Sequence, residues 1–320
     1  MTRLDVLRWA RGSLALAAAA LLGAASPKEP PHVESNAIYP DAAKLLQPFP
    51  NPSWGQFPRT GHDVVQLADG LYTFRYGGQA TRNIFMVTPA GVIVTDPIST
   101  KAARILRDEI RKITPLPVRY VIYSHSHWDH ISGGQIFKDE GARFIAHRDS
   151  LSEIRRRPNA EVVMPDEAFD DRRVIELGGR TLELTYLGRG HGSGNIVIRP
   201  DAGPYVFVVD TVVPGRMPLG FMADTDPGGS IDSLRQLEAL NIRAIIPGHG
   251  VPLADRSALT ERRLYLEALI ESTGRALDQP APPVDIAASI KVPAFSYLRG
   301  YEQDIARNAD RVVNYLYIGW

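Results

Sequence analysis

From Val64 to Ile246 the chain alternates paired strand signals with helical stretches, and it does so in two similar series. In the first, Val64–Gln66 and Leu71–Tyr76 flank the turn Ala68-Asp69-Gly70, and Ile84–Thr88 and Val92–Thr95 flank Pro89-Ala90-Gly91. Short runs of apolar and β-branched residues around Gly or Pro turns read as hairpins. Helical periodicity follows over Ala102–Ile113, then a buried strand over Val118–Ser124, a short helix over Gly134–Glu140, a strand over Arg143–His147 and a helix over Ser150–Arg156. The second series pairs Arg173–Leu177 with Thr181–Leu187 and Gly194–Arg199 with Tyr205–Val209. It continues with a helix over Ser230–Leu240, a strand over Ala244–Ile246 and a long helix over Ala258–Leu277, with Ser230 and Ser257 as the expected N-caps. Pro280–Pro283 breaks that helix, and Tyr301–Tyr317 is expected to form a last one. This order fits an α/β (α+β) architecture of mixed sheets with helices on their outer faces.

The N-terminus carries a different kind of signal. Arg3, Arg8 and Arg11 precede an uncharged run from Gly12 to Ala25, and small residues close it. That order predicts a signal peptide over residues 1–25 and hence a periplasmic or secreted protein. The run is too short for an ordinary membrane span, so no stable span is expected after cleavage. Residues 26–60 are rich in proline and read as an extended linker or arm. Basic and acidic residues balance at 36 each, which gives no general attraction to nucleic acid. The chain has no cysteine, so disulfides, thiolate ligands and cysteine nucleophiles are excluded together.

The segment Ser124–Gly134 reads SHSHWDHISGG. His125 and His127 are two apart directly behind a buried strand, and in an extended chain such residues point the same way. Asp129 and His130 follow, and Gly133 and Gly134 permit the turn into a helix. An unpaired polar cluster in this position tolerates burial poorly, which points to a metal.

The pattern His-x-His-x-Asp-His resembles the signature of the metallo-β-lactamase superfamily. That family requires three further ligands, each after a strand, and the chain supplies candidates in order: His191 in HGSGN, Asp210 after YVFVV, and His249 in IIPGHG. The resemblance spans roughly residues 64–252. It implies an αββα sandwich, two mixed sheets packed face to face, with a catalytic domain over 61–280 and a C-terminal extension over 281–320 packed on it. It implies that His125, His127 and His191 hold one metal, that Asp129, His130 and His249 hold the other, and that Asp210 bridges them. Imidazole and carboxylate suit two zinc ions, with manganese or iron as alternatives. A metal-bound hydroxide is then the expected nucleophile, and Asp129 is the expected catalytic residue that orients it and shuttles a proton.

Members of this family run many chemistries, so the substrate is a separate question. Flavodiiron oxygen reductases typically carry glutamate where His127 stands. The β-lactamases of the superfamily generally lack the bridging aspartate and often use cysteine. A bridging aspartate resembles glyoxalase II, lactonases and RNA-processing nucleases, and export disfavours the intracellular tasks among these. The expected function is therefore an exported binuclear hydrolase acting on a small-molecule ester or lactone. A β-lactamase or thioester hydrolase is the alternative within the class, and a metal-binding accessory protein of an exported redox system is the alternative outside it. Four further residues are candidates for substrate contact. Asn195 either donates to a substrate oxygen or caps the turn after His191. Met217, Phe221 and Met222 lie on the Gly/Pro-rich loop Pro214–Gly229, as pocket wall or as core. His147 is expected to be structural, and His32 and His62 to be solvated.

Overall fold

The computed structural model describes residues 61–78, 80–218, 222–280 and 282–319. The expected signal peptide and proline-rich arm, and Phe221, lie outside the described residues.

Seven strands form the first sheet, in chain order: β1 (His62–Ala68), β2 (Leu71–Tyr76), β3 (Thr81–Thr88), β4 (Gly91–Thr95), β5 (Val118–Ile122), β6 (Arg143–His147) and β7 (Glu167–Phe169). β1 to β4 are antiparallel hairpin neighbours, whereas β4 to β7 run parallel. The second sheet holds β8 (Arg172–Leu177), β9 (Arg180–Tyr186), β10 (Ile196–Pro200), β11 (Tyr205–Val208), β12 (Ala244–Pro247) and β13 (Ala254–Asp255). Only β11 and β12 are parallel in it. Both sheets are mixed, as the alternation of hairpins and helices predicts.

The period-two pattern of the strands sorts side chains into layers. On β3, Ile84 and Met86 face the space between the sheets, where they meet Leu182, Leu184, Ile198 and Phe207. Phe85 faces the opposite way, with Val94 and Val121, onto α1 (Thr100–Ile113). That helix buries Ala102, Ala103, Leu106 and Ile110, with Leu106 three and four residues after the two alanines and Ile110 four further on, and Ser99 caps it by accepting from the Ala102 N–H. Between β5 and β7 lie α2 (Trp128–Ile131), α3 (Gln135–Asp139) and α4 (Arg148–Arg156). The outer face of the second sheet, Val206, Val208 and Ile245, packs on α5 (Pro227–Glu238), α6 (Ser257–Leu277), α7 (Pro283–Ser289) and α8 (Tyr301–Ile318). Ile305, Ala309 and Val312 of α8 belong to that core, so the C-terminal residues are part of an outer helical layer. No helix among the described residues is long and apolar enough to cross a membrane.

Two expected caps are corrected. α5 begins at Pro227, and Asp226 caps it by accepting from Gly229 N–H at 2.9 Å, which leaves Ser230 inside the first turn. Ser257 is itself helical, and its N–H is taken by Asp255 Oδ1 at 2.8 Å. In both cases an aspartate upstream offers the stronger, charged acceptor.

Candidate metal centre

The site lies where strands end. His125 and His127 follow β5, Asp129 and His130 lie on α2, His191 sits between β9 and β10, Asp210 follows β11 and His249 follows β12. All seven predicted donors converge, in two groups. His125, His127, His191 and Asp210 bring one ligand atom each within 4.8 Å of one another, and so do Asp129, His130 and His249. His191 Nε2 lies 3.2 Å from His127 Nδ1, and His130 Nε2 lies 3.1 Å from His249 Nε2. Asp210 stands between the groups. Its Oδ2 is 3.5 Å from His125 Nε2, 3.4 Å from His191 Nε2 and 3.4 Å from His130 Nε2, and its Oδ1 is 3.0 Å from His249 Nε2.

Charge in this cluster is tightly constrained. Burial, together with the neighbouring His127 and His130, pushes His125 well below the ordinary histidine range. Burial also opposes charge on His130, but the nearby carboxylates of Asp210 and Asp96 carry it well above that range. For Asp210, burial is likewise overcome, here by His130 and His249, and its carboxyl sits well below the usual range. The backbone is constrained as well. Asp96, Asp210 and Met222 take left-handed φ values of 39°, 61° and 46°, and Ala80, whose carbonyl accepts from Gly250 beside His249, takes 52°. Non-glycine residues in that region cost of order 1–3 kcal/mol each and persist only when surrounding structure holds them.

Residues 77–249 match the family described as the metallo-beta-lactamase superfamily. The chain belongs to the metallo-β-lactamase superfamily. Among its curated relatives, the alpha subunit of 2,4-dinitroanisole O-demethylase from Nocardioides sp. is 28% identical over 240 residues, covering 74% of this chain and 69% of the relative. A type 2 metallo-beta-lactamase from Elizabethkingia meningoseptica is 25% identical over 205 residues, covering 58% and 78% respectively. A solved metallo-beta-lactamase from Pontibacter korlensis superposes with a TM-score of 0.59 at 19% identity, over 65% of this chain and 99% of its own, which is a likeness of fold.

In this member of the metallo-β-lactamase superfamily several residues that the sequence did not single out hold the donors in place. Asp96, fully buried at the end of β4, accepts from Ser124 N–H at 2.8 Å through Oδ1 and sets Oδ2 3.6 Å from His130 Nδ1. Ser124 Oγ lies 2.9 Å from His125 Nδ1. Asp224 Oδ2 lies 2.5 Å from His127 Nε2, and Thr225 Oγ1 lies 3.5 Å from His191 Nδ1. A partner on the far ring nitrogen fixes tautomer and ring orientation, the usual support for a ligating histidine. Arg82 of β3 donates from its buried guanidinium to the Gly250 carbonyl, and its N–H donates to Gly248 O, so β3 clamps both sides of His249.

Some expected substrate contacts change. Asn195 Nδ2 donates to Val209 O at 3.0 Å, so it braces the chain one residue before Asp210 and neither reaches outward nor caps the following turn. Met217 is fully buried in the core beneath α5 and α6. Met222 does line a pocket, together with His191, Asp210, Thr225 and Leu266. His147 is structural: its ring stacks on Tyr186 at 4.0 Å, and its Nδ1 accepts from Asp149 N–H at 3.1 Å to cap α4. His62 pairs with Glu109 at 3.1 Å at the surface.

Proposed function

We propose that this chain is an exported, binuclear zinc-dependent hydrolase that cleaves an ester or lactone. The observation that carries the reading is the double cluster with Asp210 shared between its halves. The donor set fits a metal on its own chemistry. His125 Nε2 is buried without a hydrogen-bond partner, and Asp210 Oδ1 is close to His249 Nε2 without making a hydrogen bond of acceptable angle. Orphaned buried polar atoms are costly, at roughly 1–3 kcal/mol each, and ligation removes that cost. Facing imidazole nitrogens 3.1–3.2 Å apart are likewise what two ligands of one ion present. His125, His127 and His191 would hold one ion, Asp129, His130 and His249 the other, and Asp210 both. Two such ions supply Lewis acidity and bring the pKa of water toward neutrality.

The chain's own residues do the rest. Asp129 is half-exposed at the mouth, with Oδ2 3.8 Å from His249 Nε2 and 3.7 Å from His130 Nε2. From there its carboxylate orients the attacking water, accepts a proton at Oδ2 and exchanges it with solvent. Met222 and Leu266 give the flanking pocket an apolar wall that shields the reacting bond from bulk water. The similarity to a 2,4-dinitroanisole O-demethylase subunit and to a metallo-beta-lactamase supports hydrolysis without fixing the leaving group. Zinc rests on the nitrogen-rich donor set, and export on the N-terminal pattern Arg3–Ser26.

The test is metal stoichiometry together with turnover of a generic ester, a lactone, a thioester and a chromogenic cephalosporin by the metal-reconstituted protein. Two ions per chain with chelator-sensitive ester or lactone cleavage is expected. Two ions without turnover of any substrate replaces this reading with that of a metal-binding accessory protein. Cephalosporin cleavage alone replaces it with that of a β-lactamase.

A further inference from the structure

The pocket beside the double cluster holds a positive charge that the cluster does not need. Arg262, on α6, lines it together with Ser230, Thr211, Asp210 and His191, and is only 5% exposed. One nitrogen of its guanidinium, Nη2, donates to the carbonyls of Val213 at 3.2 Å and Arg216 at 2.7 Å, which fixes the group in place. Nε and Nη1 donate to none of the described residues. No carboxylate among the described residues pairs with Arg262. The adjacent Glu261 is turned away, accepting from Tyr297 O–H at 2.8 Å and Gly215 N–H at 3.4 Å. The only ring nearby is Tyr265, 6.0 Å from the guanidinium carbon among the described residues. Burial pushes Arg262 down to about 10, so it remains charged at neutral pH.

Ser230 supplies the second half of the feature. It is 2% exposed, and its Oγ is buried with no hydrogen-bond partner. It sits in the first turn of α5, whose N-terminal end carries partial positive charge. An unpaired buried cation and an unpaired buried hydroxyl in the wall of one pocket are both expensive unless something polar completes them. With Nη2 committed to two carbonyls, an anion at Arg262 is held by single charge-assisted hydrogen bonds from the remaining N–H groups.

We propose that Arg262 and Ser230 form an anion-binding subsite, and that the ester or lactone cleaved at the double cluster carries a free carboxylate which this subsite holds. The proposal rests on the hydrolase reading for the word substrate, but not for the binding site itself. Because Asp210 and Arg262 line the same pocket, a carboxylate held at Arg262 delivers the other end of a short acyl chain toward the metal ligands. The subsite then sets specificity, with Arg262 as a binding residue and no part in bond cleavage.

Two measurements on the metal-loaded protein test this. The first compares kcat/KM for p-nitrophenyl hemiglutarate with that for p-nitrophenyl valerate, in the native chain and in Arg262→Gln. The native chain is expected to favour the charged ester by tenfold or more, mainly through KM, and Arg262→Gln is expected to bring the ratio near one. A native ratio near one, or a ratio that survives the substitution, overturns the proposal. The second measurement needs no turnover: glutarate is expected to raise the melting temperature of the native chain more than glutaramide does, and to lose that advantage in Arg262→Gln. An equal glutarate shift in both proteins places the carboxylate on the metals and overturns the subsite. Absence of turnover with every ester, combined with a glutarate shift that depends on Arg262, refutes the hydrolase reading and leaves the subsite standing. Should Arg262→Gln not fold, Ser230→Ala takes its place, with a several-fold fall in the charged-to-neutral ratio expected and an unchanged ratio counting against the proposal.

Discussion

Replacing Asp96 with asparagine separates the support of one half-site from the support of the fold. Asp96 is buried, takes φ 39° and serves two neighbours. Oδ1 accepts from Ser124 N–H at 2.8 Å, and Oδ2 faces His130 Nδ1 at 3.6 Å. Asparagine tolerates left-handed backbone nearly as well as aspartate and keeps an acceptor for Ser124. What it loses is the carboxylate behind His130. Carboxylate support of this kind is worth about 10- to 100-fold in metal affinity, or about 1.4–2.8 kcal/mol at 1.4 kcal/mol per decade. Only His130, in the half-site with Asp129 and His249, is affected directly, because Ser124 and Asp224 back the other histidines. A chelator-competition titration should therefore resolve two binding steps, with one moved by one to two decades and the other nearly still. Metal-free melting should drop only slightly, since exchanging a charged for a neutral hydrogen bond costs about 1 kcal/mol. Equal weakening of both steps, or two unmoved steps, would show that Asp96 does not act through His130.

Three further substitutions probe other parts of the argument. His127→Ala removes the nitrogen 3.2 Å from His191 Nε2 and should release the first ion along with nearly all activity; retention of both by metal analysis and assay would remove His127 from the ligand set. Gly133→Ala should unfold the protein at moderate temperature or cost more than about 3 kcal/mol in a denaturant titration, because φ is 85° and a Cβ would lie 2.0 Å from Ser99 C, so near-native stability would mean that this turn has another conformation. Asp166 is partly buried, which alone would raise its pKa, but Lys138 and the Phe144 N–H hold it below its ordinary value of 3.8. A depressed folded value contributes stability above 3.8 that is lost as pH falls through the folded value; Asp166→Asn should flatten the acid limb below about pH 4 in urea melts, and an unaltered limb would contradict the pairing.

The donors were legible because ligand chemistry restricts residue type, and because each segment that carries them comes after a strand. His125 and His127 do converge, but not by sharing a strand face. β5 stops at Ile122; the two rings meet edge to face at 4.4 Å and offer different nitrogens, Nε2 and Nδ1, toward the cluster. Asp96 left no trace in the sequence, and although Gly77–Arg82 and Pro214–Gly229 read as possible rims of the site, the supporting roles of Arg82 and Asp224 did not, since they depend on which chain segments the two sheets bring together. Arg82 and Gly250 are 168 residues apart, and nothing local marks them as partners. The same holds for Arg262, which reads in TERRLYLEAL as one more charge on a solvated helix and is buried only because α6 packs against the outer face of the second sheet. Edge strands were missed for a different reason. β7 has three residues and β13 two, too few for any period to emerge.

Charge balance links the double cluster to its neighbouring pocket. Five histidines would ligate as neutral groups, so Asp129 and Asp210 are the only negative charges in the candidate donor set. Two divalent cations would leave that set with two excess positive charges. Asp96 behind His130 and Asp224 behind His127 offset them, and the cluster then approaches neutrality. Arg262 adds a further positive charge in the wall of the same pocket, and no described carboxylate answers it. A carboxylate in contact with that guanidinium gains about 4 kcal/mol of Coulomb energy at 4 Å and an effective dielectric of 20. Part of that gain is offset by desolvation, and a surplus of one or two decades in affinity is what the tenfold preference requires. A neutral ester in the same pocket leaves the guanidinium without a counter-charge, so discrimination arises as much from the penalty on the wrong substrate as from attraction to the right one.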